Sequence, residues 1–293
     1  MTTVEKLNYL ISIKSDIKTA IENKGVDMTG VSFPGYASKI GDIVSGVGYT
    51  DRDVIEGRYQ YNIYNSASFV YSSTFEYKLV ETVDLPNCSY VGRRGFFYCT
   101  SLTTVNLPVC ITVGISAFTS CSSLSQVNLP VCTTVDSYAF KNCSLLSQVN
   151  LPMCSYISIS AFCYCSSLTQ VSLPMCSYIG SFAFEWCKSL SQVSLPMCSY
   201  IGSFAFYNCS SLPQISLPMC SYIGAYAFKW CESLSIITIG YSSVCSLDNT
   251  SVFDNTKITS STGSIYVPAS LVDLYKSATN WSQYSNRIFA IPS

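Results

Sequence analysis

Cysteine is the residue type in this sequence with the greatest chemical potential. The chain has 16 cysteines and no histidine among 293 residues. Most of the cysteines fall into two sets that repeat every 22 residues, the second set lying eleven residues after the first. The first set follows Leu-Pro-x and comprises Cys88, Cys110, Cys132, Cys154, Cys176, Cys198 and Cys220. The second set comprises Cys99, Cys121, Cys143, Cys165, Cys187, Cys209 and Cys231. Cys163 and Cys245 lie outside both sets.

Three kinds of cysteine chemistry fit such a pattern: metal binding, disulfide bonding and burial as a reduced thiol. Cysteine metal sites use paired C-x-x-C motifs or added histidines, and the sequence has neither. Free cysteine is a small, frequently buried residue, and a column that repeats with the fold is expected to line a core. We therefore predict reduced, buried and stacked thiols and no metal, with disulfides between neighbouring coils as the alternative.

The chain has no histidine, so it cannot use histidine-dependent catalysis. Ser-His and Cys-His nucleophile pairs both need a histidine base. The carboxylates are scattered among the repeats and flanks, at positions such as Asp51, Asp53, Asp136, Glu185 and Glu232. Glycoside hydrolysis needs two carboxylates across one cleft, and the sequence has no glycine-rich phosphate loop or acidic metal-binding loop. We predict that the protein is not an enzyme and uses no cofactor.

The charge composition excludes several classes of partner. The net charge is −1 and charged residues make up 11% of the chain, so we expect no binding to nucleic acid and no electrostatic attachment to an anionic membrane. No apolar run approaches the roughly 20 residues that a membrane-spanning helix needs, so we expect no membrane insertion. The N-terminal residues lack the pattern of a secretory signal. We expect a protein made and kept in a cytoplasm, unless it leaves by another route.

An internal repeat must position the two cysteine sets. Seven units of 22 residues run from residue 85 to 238 without a register slip. Within each unit a pattern such as Leu102-x-x-Val105-x-Leu107 predicts a short strand with its apolar residues inward, which Pro108 ends. One unit cannot bury its own apolar side, so successive units must stack. The sequence therefore predicts a β-rich solenoid.

The repeating unit also carries a family resemblance. The pattern L-P-x-C-x-x-V/I-G-x-x-A-F-x-x-C-x-x-L resembles the BspA-type leucine-rich repeats, a bacterial and viral branch of the leucine-rich repeat family. The resemblance covers residues 85–238, with seven copies at a fixed spacing. It implies a β-rich leucine-rich repeat solenoid that works in binding or adhesion and has no catalytic residues. The first cysteine of the unit departs from the commoner family form, in which that position is more variable.

The segment before the repeats is predicted to cap them. Residues 49–84 fit a degenerate first coil, with Phe69 in an apolar column and Tyr77 in place of a cysteine. Such a coil covers the apolar edge that the first complete unit would otherwise expose.

The segment after the repeats is predicted to cap the other end. Residues 239–293 fit a C-terminal cap with one strand at Ser264–Val267 and a helix that begins near Ala269, just after a proline. This cap covers the apolar edge of the last coil.

The N-terminal residues 1–48 differ in kind from the repeats. Their apolar residues recur at helical spacing and predict an amphipathic helix. The helix stripe comprises Leu7, Leu10, Ile13, Ile17 and Ile21. One interpretation is that the helix packs on the first coil, and the other is that its stripe serves attachment or homo-oligomerisation. Residues 13–43 are similar to N-terminal segments of bacteriophage tail and fibre proteins, which implies a module that binds other virion structural proteins.

Aromatic residues occupy positions that vary between otherwise similar coils. Positions one, two and five residues before each second-set cysteine change from unit to unit, so we predict that they face outward. Aromatic side chains are common in protein interfaces and sugar-binding faces. The predicted ligand-binding residues are Tyr164, Phe182, Trp186, Phe204, Tyr207, Tyr226 and Trp230. Two alternatives are that the rings merely cover neighbouring coils, or that ligands bind the strand side, where Gln126, Gln148, Gln170, Gln192 and Gln214 form a column.

Two main functions follow from these features. In the first, the protein is a non-enzymatic, virion-associated fibre, tail or decoration protein that presents its solenoid to a host-surface protein or glycan. In the second, it is a BspA-like adhesin or interaction module at the bacterial cell surface. A third possibility is a purely structural spacer.

Overall fold

The computed structural model describes residues 61–64, 69–260 and 262–292, which form a β-solenoid of parallel strands. Each 22-residue unit makes one coil, with a strand, a corner at Leu-Pro, a two-residue strand and a turn. Equivalent strands of successive coils pair in parallel, so that Val105 lies beside Val127. Val105 and Leu107 are buried as predicted. The solenoid inferred from the 22-residue period is confirmed.

Two rows of strands run along the described solenoid. The first row contains β1 (Tyr61–Tyr64), β3 (Val80–Asp84), β5 (Thr104–Asn106), β7 (Gln126–Asn128), β9 (Gln148–Asn150), β11 (Gln170–Ser172), β13 (Gln192–Ser194), β15 (Gln214–Leu217), β17 (Ile236–Ile239), β19 (Ser264–Val267) and β20 (Ile288–Ala290). The second row contains β2 (Phe69–Val70), β4 (Tyr90–Val91), β6 (Thr112–Val113), β8 (Thr134–Val135), β10 (Tyr156–Ile157), β12 (Tyr178–Ile179), β14 (Tyr200–Ile201), β16 (Tyr222–Ile223) and β18 (Ser246–Leu247). Over the described residues the second row is one nine-stranded sheet, whereas the first row divides into sheets of five, two and four strands.

A column of stacked phenylalanine rings runs through the core. Successive ring centroids lie between 5.0 and 5.8 Å apart. The column consists of Phe75, Phe96, Phe118, Phe140, Phe162, Phe184, Phe206, Phe228 and Phe253. Burying one such side chain fully is worth about 1.5–3 kcal/mol. The column is therefore a main source of the free energy that holds the coils together.

Both cysteine sets line the core, as predicted. All of the cysteines are buried free thiols. A second-set thiol donates to a carbonyl of the preceding coil, as Cys121 Sγ does to Phe96 O at 3.1 Å. A first-set thiol donates to a carbonyl two residues onward, as Cys110 Sγ does to Thr112 O at 3.3 Å. These hydrogen bonds satisfy the weak thiol donors, and burial removes the thiols from solvent.

The two cysteines outside the sets are also buried. Cys245 Sγ donates to Ser246 O at 3.7 Å. Ser246 pairs with Tyr222, which lies two residues after Cys220, so Cys245 extends the first set into the next coil. Cys163 Sγ donates to Glu185 Oε2 at 3.2 Å.

The first described coil has a different register from the predicted one. Val70, not Phe69, pairs with Val91 and fills the apolar column. Phe69 is 52% exposed and Tyr77 is 62% exposed, and the ring of Tyr77 packs beside Tyr98 rather than in the place of a cysteine. The reason is that this coil is one residue shorter between its turn and β3, so a strict 22-residue count is off by one in its first half.

The C-terminal cap begins as predicted. The strand at Ser264–Val267 is followed by a 3-10 turn at Ala269–Leu271 and by helix α1 (Val272–Ser277). A second 3-10 helix, Ser282–Arg287, leads into β20.

Buried aromatic residues attach this cap to the last coil. Trp281 is fully buried, and its Nε1 donates to Cys245 O at 2.6 Å. Tyr275 is also buried, and its hydroxyl accepts a hydrogen bond from Cys245 N at 2.8 Å. The ring of Trp281 lies 6.1 Å from that of Phe253, so the phenylalanine column ends against the cap.

The N-terminal module predicted over residues 1–48, including Leu7, Leu10, Ile13, Ile17 and Ile21, lies outside the described residues. In the part of the chain that the structure describes, no helix has the length and apolar character to cross a membrane.

Candidate binding face

The turn of each coil holds two residues in the left-handed region of backbone space. The first turn column has φ between 53° and 61° and comprises Arg94, Ser116, Tyr138, Ser160, Phe182, Phe204 and Tyr226. The second turn column has φ between 58° and 64° and comprises Tyr98, Ser120, Asn142, Tyr164, Trp186, Asn208 and Trp230. Glycine and asparagine adopt this conformation readily, but other residues lose about 1–2 kcal/mol in it. We call these two columns, with the residue that precedes each member of the second, the turn face.

Hydrogen bonds between coils impose this backbone. In the first turn column up to Phe204, and throughout the second, the amide of the left-handed residue donates to a carbonyl of the next coil. Phe182 N donates to Ser203 O at 2.9 Å, and Trp186 N donates to Tyr207 O at 2.8 Å. Ser160 N makes the equivalent bond to Ser181 O at 2.9 Å. Because the same bond forms with serine or with an aromatic residue, the side chain is not what fixes the turn.

All seven aromatic residues predicted to bind a ligand lie on the turn face. Tyr164 and Trp230 are 43% and 39% exposed, and the other five are half-buried. The predicted aromatic residues thus reach the surface, although each ring also touches neighbours within the coil stack. In the earlier coils the outward prediction is wrong for Thr119, Ser120, Ser160 and Cys163, which are buried because small side chains at these positions are covered by the adjacent coils.

Three of these rings form one continuous stack. The centroids of Phe182 and Phe204 are 4.8 Å apart, as are those of Phe204 and Tyr226. Tyr207 joins the stack with its centroid 5.6 Å from that of Phe204. The ammonium of Lys229 lies 5.2 Å from the centroid of Tyr226 and also pairs with Asp254 at 3.2 Å. Stacking covers the faces of the inner rings and leaves their edges for a partner.

Trp186 and Trp230 line a groove, and Tyr164 packs behind the first of them. Tyr164 stacks on Trp186 with centroids 5.7 Å apart, and Trp230 occupies the same column two coils further on. The groove between the indoles has a volume of ≈ 490 Å³ and is lined by Trp186, Lys188, Tyr207, Asn208, Ser210, Trp230 and Glu232. It therefore offers two indole rings, one cation and one carboxylate to a ligand.

Electrostatic effects on this face are local. The Lys188 ammonium lies 4.7 Å from the Trp186 ring centroid. Partial burial, and then the carboxylate of Glu185, raise the pKa of the Tyr164 hydroxyl, which therefore stays protonated and able to donate at neutral pH.

The sequence analysis missed a further aromatic column on the second strand row. Tyr156, Tyr178, Tyr200 and Tyr222 stack with centroids 4.7 to 4.8 Å apart and planes within 10° of parallel. Partial burial, followed by neighbouring charges, raises the pKa of Tyr178 and of Tyr222. The signal was available, because Cys-Ser-Tyr-Ile recurs in four units at the 22-residue period.

The glutamine column lies in register on the first strand row. Gln126 pairs with Gln148, and Gln170 with Gln192. The side-chain ladder next to it is built from other residues: Asn128 Nδ2 donates to Asn106 Oδ1 at 2.8 Å, and Asn106 Nδ2 donates to Asp84 Oδ1 at 2.9 Å. This side is polar, in contrast to the aromatic turn face.

The cysteines are not arranged for nucleophilic chemistry. Burial raises the pKa of Cys132 to about 11 and that of Cys99 to about 12. The thiolate is the reactive form of cysteine, so these groups are poor nucleophiles near neutral pH. Within the described ranges, no three His, Cys, Asp or Glu residues are grouped so that they could hold a metal ion.

Comparison with solved structures finds bacterial leucine-rich repeat proteins. A leucine rich cell surface protein from Faecalibacterium prausnitzii is 28% identical over 63% of this chain and 46% of its own, with a TM-score of 0.45. The chain thus spans about half the length of that protein. A leucine-rich repeat protein from Bacteroides ovatus is 19% identical over 78% of this chain and 76% of its own, with a TM-score of 0.41. The leucine rich repeat protein of T. pallidum is 24% identical over 59% and 76% of the two chains, with a TM-score of 0.42.

The sequence itself carries the family assignment. No curated protein matches the chain. The profile of the BspA type leucine rich repeat region matches in six copies, over residues 68–175 and 155–284. These matches lie outside residues 1–48, so the similarity of that segment to bacteriophage tail and fibre proteins gains no support from them. The matched residues cover most of the chain, which therefore belongs to the BspA-type leucine-rich repeat family.

Proposed function

We propose that this protein is a non-enzymatic adhesion or interaction module that binds a protein partner through its turn face. It would act at the bacterial cell surface. Burial raises the pKa of the Cys99 and Cys132 thiols, so these two groups are not activated nucleophiles, which favours binding over catalysis.

One observation carries this proposal: large aromatic residues occupy left-handed backbone positions that do not need them. Phe182, Trp186 and Trp230 have φ near 60°. Ser160 and Asn142 hold the same conformation in earlier coils of the same solenoid. Side chains in unfavourable backbone conformations cluster at functional sites. The rings therefore serve something other than the turn, and an interface is the use that their partial exposure favours.

The stacking favours a protein over a glycan as the ligand of the continuous stack. Pyranose rings bind aromatic side chains through the ring face. In the stack Phe182, Phe204 and Tyr226, each shared face is already covered at a centroid distance of 4.8 Å. The outward edges suit the packed, desolvated contacts typical of protein hot spots.

A second candidate is the virion-associated fibre, tail or decoration protein, attached through residues 1–48. Its support is the similarity of residues 13–43 to bacteriophage tail and fibre segments. Purified virions from a producing culture would carry the chain if this proposal is correct. Recovery of the chain on intact bacterial cells, with none on particles, would contradict it.

Binding to cells is the direct test of the main proposal. Labelled protein is measured by flow cytometry on panels of cultured epithelial and bacterial cells, with and without protease or glycosidase treatment. The double variant Trp186→Asn with Trp230→Asn copies Asn208, which stands in the same column. Loss of an interface Trp typically costs about 2 kcal/mol or more in binding. We expect at least a tenfold loss of protease-sensitive binding.

Tyr200→Thr is the matched control, because it removes a stacked ring from the second strand row and leaves the turn face intact. It should bind cells as the unmodified protein does. Equal binding by the double variant and the unmodified protein would overturn the proposal.

A further inference from the structure

The groove on the turn face lies where one ring is missing from an aromatic column. In the second turn column Tyr164 and Trp186 are followed by Asn208 and then by Trp230. Tyr164 and Trp186 stack on each other, with planes 15° apart. Asn208 interrupts this column, and the groove between the two tryptophans opens above it.

The spacing of the coils gives this gap the width of one aromatic ring. Equivalent residues two coils apart are separated by about 9.6 Å, twice the spacing of paired strands. In this solenoid, stacked rings of adjacent coils have centroids 4.7 to 5.8 Å apart. A ring placed midway would thus lie about 4.8 Å from each indole, within the range of about 4.5–7 Å that aromatic pairs prefer.

The remaining groups of the groove suit a side chain with a polar edge. Tyr164 covers one face of Trp186, so the Lys188 ammonium, 4.7 Å from the ring centroid, lies over the face turned toward the groove. An entering ring would displace this ammonium toward Glu232, which lines the same groove. Asn208 and Ser210 offer hydrogen-bonding groups to an indole N–H or a phenol hydroxyl.

We infer that the groove between Trp186 and Trp230 receives one aromatic side chain of a protein partner, which completes the interrupted column. This inference rests on the proposed function, because it names the contact by which the turn face holds its partner. Trp186, Trp230 and Tyr207 form the walls, and Asn208 marks the position that the partner's ring fills.

The first test fills the gap from within the chain. Asn208→Trp places an indole between two rings, whereas the control Asn142→Trp places one between Ser120 and Tyr164. Both variants carry the same left-handed backbone, but Asn142→Trp also loses the hydrogen bond from Asn142 Nδ2 to Ser120 Oγ at 3.4 Å. The melting temperature of Asn208→Trp is therefore compared with that of the unmodified protein as well as with that of the control. We expect Asn208→Trp to melt several degrees above Asn142→Trp. Equal melting, or a lower value for Asn208→Trp, would show that the gap does not accept a ring and would overturn the inference.

The second test measures binding of N-acetyl-L-tryptophanamide to the full chain by saturation-transfer NMR. We expect transfer with the unmodified protein and with Asn142→Trp, and at least a tenfold weaker signal with Asn208→Trp. Methyl pyranosides serve as the comparison ligands. Transfer to a methyl pyranoside but not to the amide, or to neither, would overturn the inference.

Failure of this inference is distinguishable from failure of the proposed function. If Asn208→Trp binds cells normally while Trp186→Asn with Trp230→Asn does not, the turn face binds its partner without an inserted ring. The inference then falls and the proposed function stands. If neither variant changes cell binding, both fall.

Discussion

Two columns of aromatic rings stand two residues apart in the same coils, one fully buried and the other half-buried on the turn face. Phe184, Phe206 and Phe228 stack inside the core at 5.3 to 5.4 Å. Phe182 and Phe204 stack on the turn face at 4.8 Å. The core column keeps phenylalanine in every repeat, whereas the outer column changes to arginine, serine or tyrosine. Stacking at the coil spacing is therefore a consequence of the repeat and does not itself indicate a structural role.

The energetic difference between the two columns explains this contrast. A core ring loses all contact with water, and no residue of another size fits its place. An outer ring loses about 1–2 kcal/mol to its left-handed backbone and gains about 0.5–1.5 kcal/mol from stacking. The backbone cost and the stacking gain nearly cancel. The residue type at the outer position can therefore change to suit a binding partner with little effect on the stability of the fold.

Alkaline pH should give the largest effect, because many buried thiols of the two core columns titrate together. Buried tyrosines such as Tyr275, whose pKa is also raised by burial, add to this effect. The cysteine pKa is about 8.5 in an unfolded chain, whereas burial raises that of Cys132 to about 11 and that of Cys99 to about 12. The unfolded state therefore releases thiol protons first. The stabilisation is fully present below about pH 8.5 and is lost as pH rises toward 11 or 12, by about 1.4 kcal/mol per pH unit for each such thiol.

Urea unfolding at several values between pH 8 and 10.5 measures this loss. Cys132→Ala should reduce the slope of unfolding free energy against pH by one proton, about 1.4 kcal/mol per pH unit. A flat profile for the unmodified protein would mean that the thiols ionise freely in the folded state, contrary to their burial.

Phe206→Ala should give the next largest effect. The side chain is fully buried between Phe184 and Phe228, and its removal leaves a cavity that the stacked coils cannot close. We expect a loss of about 3–5 kcal/mol in the free energy of unfolding, measured in urea. A loss below about 1 kcal/mol would mean that the core column is no more important than the outer one.

The sequence predicted the core columns better than the surface for a physical reason. Burial requires the same residue type in each coil, so the repetition of Leu107, Cys121 and Phe118 in every unit predicts that these residues are buried. The prediction for the first coil was wrong because this coil is one residue shorter than the others. Val70 therefore occupies the column that was assigned to Phe69. A repeat period alone does not report a deletion between two of its elements.

The aromatic residues of the candidate site could be predicted from the sequence as surface positions, but their geometry and the polar residues of the groove could not, and ligand binding by these residues stays a prediction. Variation between coils identified Trp186 and Trp230 as surface positions. Their left-handed backbone was hidden, because the residues at these positions are not the glycines that usually mark it. The gap at Asn208 follows only from the stacking of its neighbours in the structure.

Tyr200→Thr should give a moderate effect and tests whether the tyrosine column of the second strand row resembles the core or the turn face. Its ring stacks on both neighbours, at 4.7 and 4.8 Å. Threonine occupies the equivalent strand position at Thr112 and Thr134. We expect a loss of about 1–2 kcal/mol from the two lost ring contacts. The reverse change, Thr134→Tyr, adds a ring beside Tyr156 and should raise stability, and a loss in both variants would show that these rings do not stack favourably.

Trp186→Asn should give the smallest change in stability, although it removes the largest side chain of the comparison. The indole stacks on one ring, Tyr164, at 5.7 Å, which is worth about 0.5–1.5 kcal/mol. Asparagine at the same φ recovers much of the roughly 1–2 kcal/mol that the left-handed backbone takes from the indole, as Asn142 and Asn208 illustrate in the same column. The free energy of unfolding should therefore stay within about 1 kcal/mol of the unmodified value. A loss approaching that of Phe206→Ala would place Trp186 among the structural rings. The binding partner would then have to be sought on the polar first strand row, where Asn106 and Asn128 form their ladder.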